Sequence, residues 1–283
     1  MWRFLLSAVS GAALAMLGAS AQATSVAPVR AAFVAAYGNA APVTRTVVRP
    51  AKPPGCDCSG LPAMRVSLAV APQTLIALGD GRYALVSLET DPMGAHSSPG
   101  AISIVYLRRT AHGWRLERRW DELAWTGDNG NPADHTSTLA RGPAPPLLFA
   151  IEQQAHQGLL TTKAWAFALE PEAPRFVGFF PIGGELDADN GCDFDACGAW
   201  AYRGAIRPGW SSASLFTVTY RGWREWPAKP AKARFVASTG FRLVAGKLMS
   251  DHWVPLPDCG GGGACANGLA IPRTSCRQLN TAG

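Results

Sequence analysis

The stretch I-S-I-V-Y-L at 102–107, R-R-T-A-H-G at 108–113 and W-R-L-E-R-R-W at 114–120 decides the fold of this chain. Its first part is rich in branched and aromatic residues, and its last part alternates large with charged ones. Two strands are therefore expected, joined through a turn over Arg109 to Gly113. Together they make a hairpin.

The same phrase, a glycine ending a turn and then an aromatic-Arg strand, recurs at Gly222-Trp223-Arg224 and Gly240-Phe241-Arg242, with a looser copy at Gly81-Arg82-Tyr83. Glycine supplies the positive φ of a turn, and the aromatic starts a buried face. Further strands are expected at 74–78, 83–88, 147–151, 162–169, 175–182, 199–206, 215–220 and 234–237. Trp165, Phe167 and Leu169 keep one phase, as do Phe216, Val218 and Tyr220, which marks half-buried antiparallel strands. The expected class is all-β, an antiparallel meander of hairpins, with sandwich, barrel and propeller equally compatible.

Upstream, the chain opens with Arg3, an apolar run from Phe4 to Leu17 and two A-x-A sites, a pattern that predicts a secretory signal peptide over 1–23. The run falls short of the roughly 20 residues that a spanning helix needs, so no stable membrane insertion is expected. Cleavage removes one arginine, and the net charge falls from +6 to +5. A short helix is expected over 28–37, started near Pro28 and stopped at Gly38. Residues 39–55, with Pro42, Pro50, Pro53 and Pro54, read as an extended linker, so 24–55 precedes a single β domain over 56–283. Its tail from 255 is expected to be irregular. The location is accordingly periplasmic or secreted.

Seven cysteines, Cys56, Cys58, Cys192, Cys197, Cys259, Cys265 and Cys276, fit an oxidising compartment. Cys192 with Cys197, and Cys259 with Cys265, read as local loop closures, the first worth about 2 kcal/mol. Cys276 is then free to reach Cys56 or Cys58 and close the chain's ends together, a link worth about 5 kcal/mol. One cysteine of the C-D-C pair is left unpaired or pairs between chains.

Between strands lies G-G-E-L-D-A-D-N-G-C-D-F-D-A-C, residues 183–197, the one dense cluster of hard oxygen ligands in the sequence. Glu185, Asp187, Asp189, Asp193 and Asp195 are the candidate metal ligands, and calcium, which takes six to eight oxygens, is the candidate ion. The wording resembles the acidic loops of extracellular calcium-binding repeats. It departs from them in lacking a complete D-x-D-x-D-G unit, a second copy and the closing Glu.

Hydrolytic motifs are absent: the chain holds no G-x-S-x-G, S-x-x-K or H-E-x-x-H. Asp134, His135 and Ser137 adjoin one another in sequence, an arrangement that rarely makes a nucleophile-base-orienter geometry. His96, His112, His135, His156 and His252 have no metal-ligand spacing. Trp125, Trp210 and Trp226 fall at loop margins, where exposed rings would anchor a protein or a sugar. The basic group Arg108, Arg109, Arg115, Arg118 and Arg119 flanks the hairpin and reads as a solvated strand face, without a nucleic-acid partner.

The leading expectation is an exported, non-enzymatic binding protein of the cell envelope, of inhibitor or immunity type, with a protein partner. A calcium-stabilised carbohydrate or cell-wall module, with a glycan partner, is the second reading, and a hydrolase with an unfamiliar site the third. Calcium binding has a direct test. A site with Kd near ~0.1 mM should stabilise the mature, oxidised protein by roughly 2–3 kcal/mol at a few millimolar calcium. The rise in Tm over an EDTA control should saturate and disappear in the Asp187→Asn, Asp189→Asn variant; a flat series removes the metal.

Overall fold

A computed structural model describes residues 26–51, 62–95, 98–141, 144–156, 159–186, 199–209, 214–226 and 229–252, with 254 and 256. The chain runs through α1 (Val26–Tyr37), β1 (Val43–Arg49), β2 (Met64–Gly79), β3 (Arg82–Thr90), β4 (Gly100–Thr110), β5 (Gly113–Thr126) and β6 (His135–Arg141). It continues through β7 (Ala144–His156), β8 (Leu159–Leu169), β9 (Pro174–Leu186), β10 (Trp200–Pro208), β11 (Phe216–Trp226), β12 (Lys229–Val244) and β13 (Lys247–Ser250). The expected all-β meander is present. Strands β1 to β5 form one antiparallel sheet and β6 to β13 a second, each strand lying beside its sequence neighbour.

The 102–120 hairpin is β4 and β5, with Thr110 opposite Gly113 at the turn. Of the glycine-aromatic echoes, Gly81 and Gly113 do end turns, with φ of 71° and 123°. Gly222 and Gly240 instead lie inside β11 and β12. There the need is space: a Cβ on Gly222 would stand 2.4 Å from the Ala201 carbonyl oxygen, and one on Gly240 2.1 Å from Asp251 Oδ2.

The second sheet curls into a half-barrel, bringing β13 back against β9 and β10 against β6. Its concave side is packed with its own side chains, including Phe149, Phe180, Phe216 and Phe241. Its convex side meets the first sheet: Val86, Ile102, Ile104 and Tyr106 pack against Leu148, Trp165 and Phe167. With β2 beside β6 and β5 beside β9, the first sheet lies across the β6–β9 half of that convex side. The β8–β9 turn is strapped down by three donors, Tyr106 Oη to the Glu170 carbonyl (2.7 Å), Arg82 to that of Pro171 (3.0 Å) and Arg118 to that of Glu172 (3.2 Å).

The first sheet's other face is covered by α1. Ala32, Phe33 and Ala36 recur at helical spacing and bury against Val70, Leu85, Val105 and Leu107. Gly38, with φ of 79°, ends the helix while its N–H still reaches the Val34 carbonyl at 2.8 Å. Residues 39–55 were expected as a linker, yet they contain β1, which pairs along all seven of its residues with β2. Proline content concealed that strand, because Val43–Arg49 is itself free of proline. The folded body therefore takes in the helix and β1 and begins well before residue 56.

Removing the Phe33 ring tests this. Phe33→Ala should cost about 3–5 kcal/mol in urea denaturation if α1 is part of the core. A loose appendage would cost less than about 0.5 kcal/mol.

Candidate functional site

Three places in the fold gather charge or enclose space: a buried acid cluster under α1, a cleft at one end of the two sheets, and the convex face of β10–β12.

The acid cluster begins with a β-bulge. Between Ile102↔Ala124 and Ile104↔Trp120 the β5 strand carries three residues opposite one, Ser103. A bulge re-aims side chains, and Asp121 and Glu122 here turn to Arg45 of β1, at 3.1 and 2.9 Å. Glu122 adopts the left-handed region, φ 46°, and its N–H donates to Ser103 Oγ at 2.9 Å. Ser103 Oγ in turn donates to Glu89, which lies 3.1 Å from Arg45. Glu89 is fully buried and its Oε2 has no hydrogen-bond partner. Burial, only partly offset by Ser103 and Arg45, pushes its carboxyl up to about 7. Tyr37 of α1, beside Ser87 but short of full hydrogen-bond geometry, is also pushed up by burial, to about 12. Burial works against the Arg45 charge, but its carboxylate neighbours outweigh this and hold its pKa above the ordinary value. The cluster is a latch that ties β1 to β3 and β5 beside the helix. Titrating carboxyls also mark ion-pair networks, and in this one Glu89 is fully buried while Arg45, Asp121 and Glu122 are partly buried.

A second buried carboxylate, Glu152 on β7, accepts from the Gly127 N–H at 2.6 Å and lies 3.9 Å from Lys163 Nζ. Burial raises its pKa as well. Gly127 and Gly130 belong to a turn whose geometry excludes side chains. A Cβ on Gly130 would fall 2.0 Å from the Asp91 carbonyl oxygen.

The third place is an open strand surface. Beyond β9 the first sheet no longer covers the second, and the outer residues of β10, β11 and β12 face outward in register. Arg203 stands directly opposite Arg221, and Trp223 opposite Arg234. Arg207 shares their face on β10, and Lys232 Nζ sits 4.1 Å from the Trp223 ring centroid. Arg203, Arg207, Arg221, Lys232 and Arg234 are all exposed. No carboxylate among the described residues lies within ion-pair distance of any of them. The hairpin arginines behave otherwise. Arg108 pairs with Glu117 at 2.5 Å and Arg119 with Asp121 at 3.1 Å. Arg109 lies over Trp114 at 4.8 Å. Arg108 and Arg119 thus have acid partners, whereas Arg203, Arg207, Arg221, Lys232 and Arg234 have none among the described residues.

Of the expected metal ligands, Glu185 is exposed on β9, opposite Ala201. Asp187, Asp189, Asp193 and Asp195 lie outside the described residues, as do all seven cysteines, the signal stretch and Trp210. No group of three or more metal-binding side chains occurs among the described residues. Trp125, expected as an exposed anchor, is 1% exposed and packs with Val66, Leu68 and Ala101. It is core, because its strand continues past the expected margin and carries the ring under β2. Trp226 ends β11 opposite Lys229, and its side chain lies outside the described residues. Asp134 is occupied by the Gln153 N–H at 2.6 Å rather than by His135.

The basic face escaped the sequence reading although a signal for it exists. In A-Y-R-G-A-I-R (201–207) and T-V-T-Y-R-G-W (217–223) the arginines keep the phase opposite to the buried aromatics. Compared with protein-family models, with curated proteins and with solved structures, the chain matches none. Function therefore rests on the sites themselves.

The latch carries a pH dependence with a definite sign. Glu89 holds its proton in the folded state up to about pH 7 but sheds it near 4.5 when unfolded. Its contribution is thus fully present below 4.5 and is lost as pH rises to 7. Over that window the wild type should lose up to about 1.4 kcal/mol per pH unit relative to Glu89→Gln. Urea midpoints of both proteins from pH 4.5 to 8 check this, and parallel curves would refute it.

Proposed function

We propose that this chain is an exported binding protein of the cell envelope that docks an acidic protein surface through the convex face of β10–β12. The observation that carries the reading is the Arg203–Arg221 pair. Like charges directly opposite on neighbouring strands are destabilising, with side chains starting roughly 5 Å apart. Arg234 is a diagonal neighbour of Arg221, and Arg207 extends the charge along β10. A sheet that accumulates such repulsion without internal compensation breaks a local rule of stability, and such breaks concentrate at functional sites. An acidic partner removes the repulsion, and planar guanidinium groups bind carboxylates in bidentate fashion. Trp223 and the exposed Val236 supply apolar area between the charges, in keeping with interfaces that combine arginine and aromatic anchors.

The scaffold suits that task. Its strands are paired in register on both sides of the face, so the cations are held at fixed spacing and little ordering is lost on binding. Inhibitor or immunity-type proteins need such a rigid, pre-organised surface. Attraction to an acidic partner would act chiefly on the association rate and fade with salt.

A photo-crosslinker at Ala205, in the middle of this face, tests the reading in an envelope extract. A discrete protein adduct should form at low salt, weaken above ~0.5 M salt where screening shortens to a few ångströms, and vanish in Arg203→Glu, Arg221→Glu. Equal labelling from Val48, an exposed control on the first sheet, would sink it. Adducts consisting of polysaccharide would transfer the role to the cell-wall-binding alternative.

A further inference from the structure

Where β2 turns into β3 and β8 into β9, beside the adjoining ends of β6 and β7, lies a cleft of about 290 Å³. Its walls come from the β2–β3 turn, the facing ends of β6 and β7 and the β8–β9 turn, and include Leu78, Pro145, Leu169 and Pro171. Among the described residues, two arginines, Arg82 and Arg141, are its only charged lining.

Neither arginine has a carboxylate partner among the described residues. Arg82 gives one N–H to the Pro171 carbonyl at 3.0 Å, and Arg141 one to that of Pro145 at 3.4 Å. A guanidinium has five N–H donors, so most of this donor capacity is unspent. Arg141 is half-buried, and with no acid beside it burial holds its pKa below the ordinary arginine value. A desolvated cation without a counter-ion is costly, and a buried charge is usually paired. The combination of convergent polar groups on a largely apolar concavity is that of a small-molecule site.

We propose that this cleft binds a small carboxylate with a short apolar chain, the carboxylate on Arg82 and Arg141 and the chain against the leucine and proline walls. Planar guanidinium donors favour a carboxylate head, and the walls favour a hydrocarbon tail over a second charge. A cleft of about 290 Å³ has room for a short-chain acid, and hexanoate is a fitting probe. The site is separate from the basic face, and its occupancy does not depend on the protein partner proposed above.

Titration calorimetry of the mature protein with hexanoate, hexanol and inorganic sulfate tests the assignment. Hexanoate should bind saturably with one site per chain, at least tenfold tighter than hexanol or sulfate. Arg141→Gln should weaken hexanoate at least tenfold while its unliganded Tm stays within a few degrees of the wild type. Ala144→Phe, which leaves both arginines and fills the cleft from the β7 side, should weaken it as much, and it decides the matter if Arg141→Gln fails to fold. Absence of saturable binding, sulfate as tight as hexanoate, or unchanged affinity in Ala144→Phe would overturn the proposal.

Discussion

Four phenylalanine rings hold the curl on which the rest of this molecule depends. Phe149 of β7, Phe180 of β9, Phe216 of β11 and Phe241 of β12 meet on the concave side of the larger sheet. Their centroids lie 4.8 to 6.0 Å apart in five contacts. Phe149 and Phe216 lie four strands apart in one sheet, so their rings meet only because it is rolled. Burying such rings supplies both area and preferred edge and offset contacts. Glycines make the roll feasible. Gly178, with φ of 141°, sits at a register shift in β9, where a Cβ would come within 2.9 Å of Leu248 on the returning edge strand.

Because the larger sheet fills its own concavity, its convex side is left to be covered by something else. The smaller sheet does this, but only across β6–β9, and it is itself covered on its far side by α1. The protein is thus layered helix, sheet, sheet and inner core over one half. Over the other half it is a rolled sheet with one face uncovered by any described residue. The exposed arginines of β10–β12 are on that open half. Their placement follows from the unequal sheets, five strands against eight.

The latch under α1 and the open basic face use charge in opposite ways. Arg45 stands among Glu89, Asp121 and Glu122, one cation against three acids, with burial keeping Glu89 protonated up to about pH 7. That arrangement holds β1 in the body, with its charges paired to one another. Arg203 and Arg221 have each other for neighbours and no acid within ion-pair distance among the described residues. Charge paired inside the body ties strands together, whereas charge at a surface without an acid neighbour is available to a partner.

The larger part of the strand pattern was legible in the residues themselves. Alternation in W-A-F-A-L and F-T-V-T-Y marked the half-buried strands, and the Arg109–Gly113 turn marked the hairpin. β1 was hidden by the prolines around it, and β6 within a stretch dense in Gly, Pro, Asn and Asp. Trp125 was misplaced because a ring at the edge of an apolar run reads as a margin until the neighbouring strand is known. What the sequence by itself determined is the all-β class and which residues in each strand share a face, since side chains alternate with period two whatever the partner. Only the tertiary structure decided which of those faces stays uncovered. That outcome depends on how far one sheet rolls and how much of it the other can span, and both are set by contacts between residues distant in the chain.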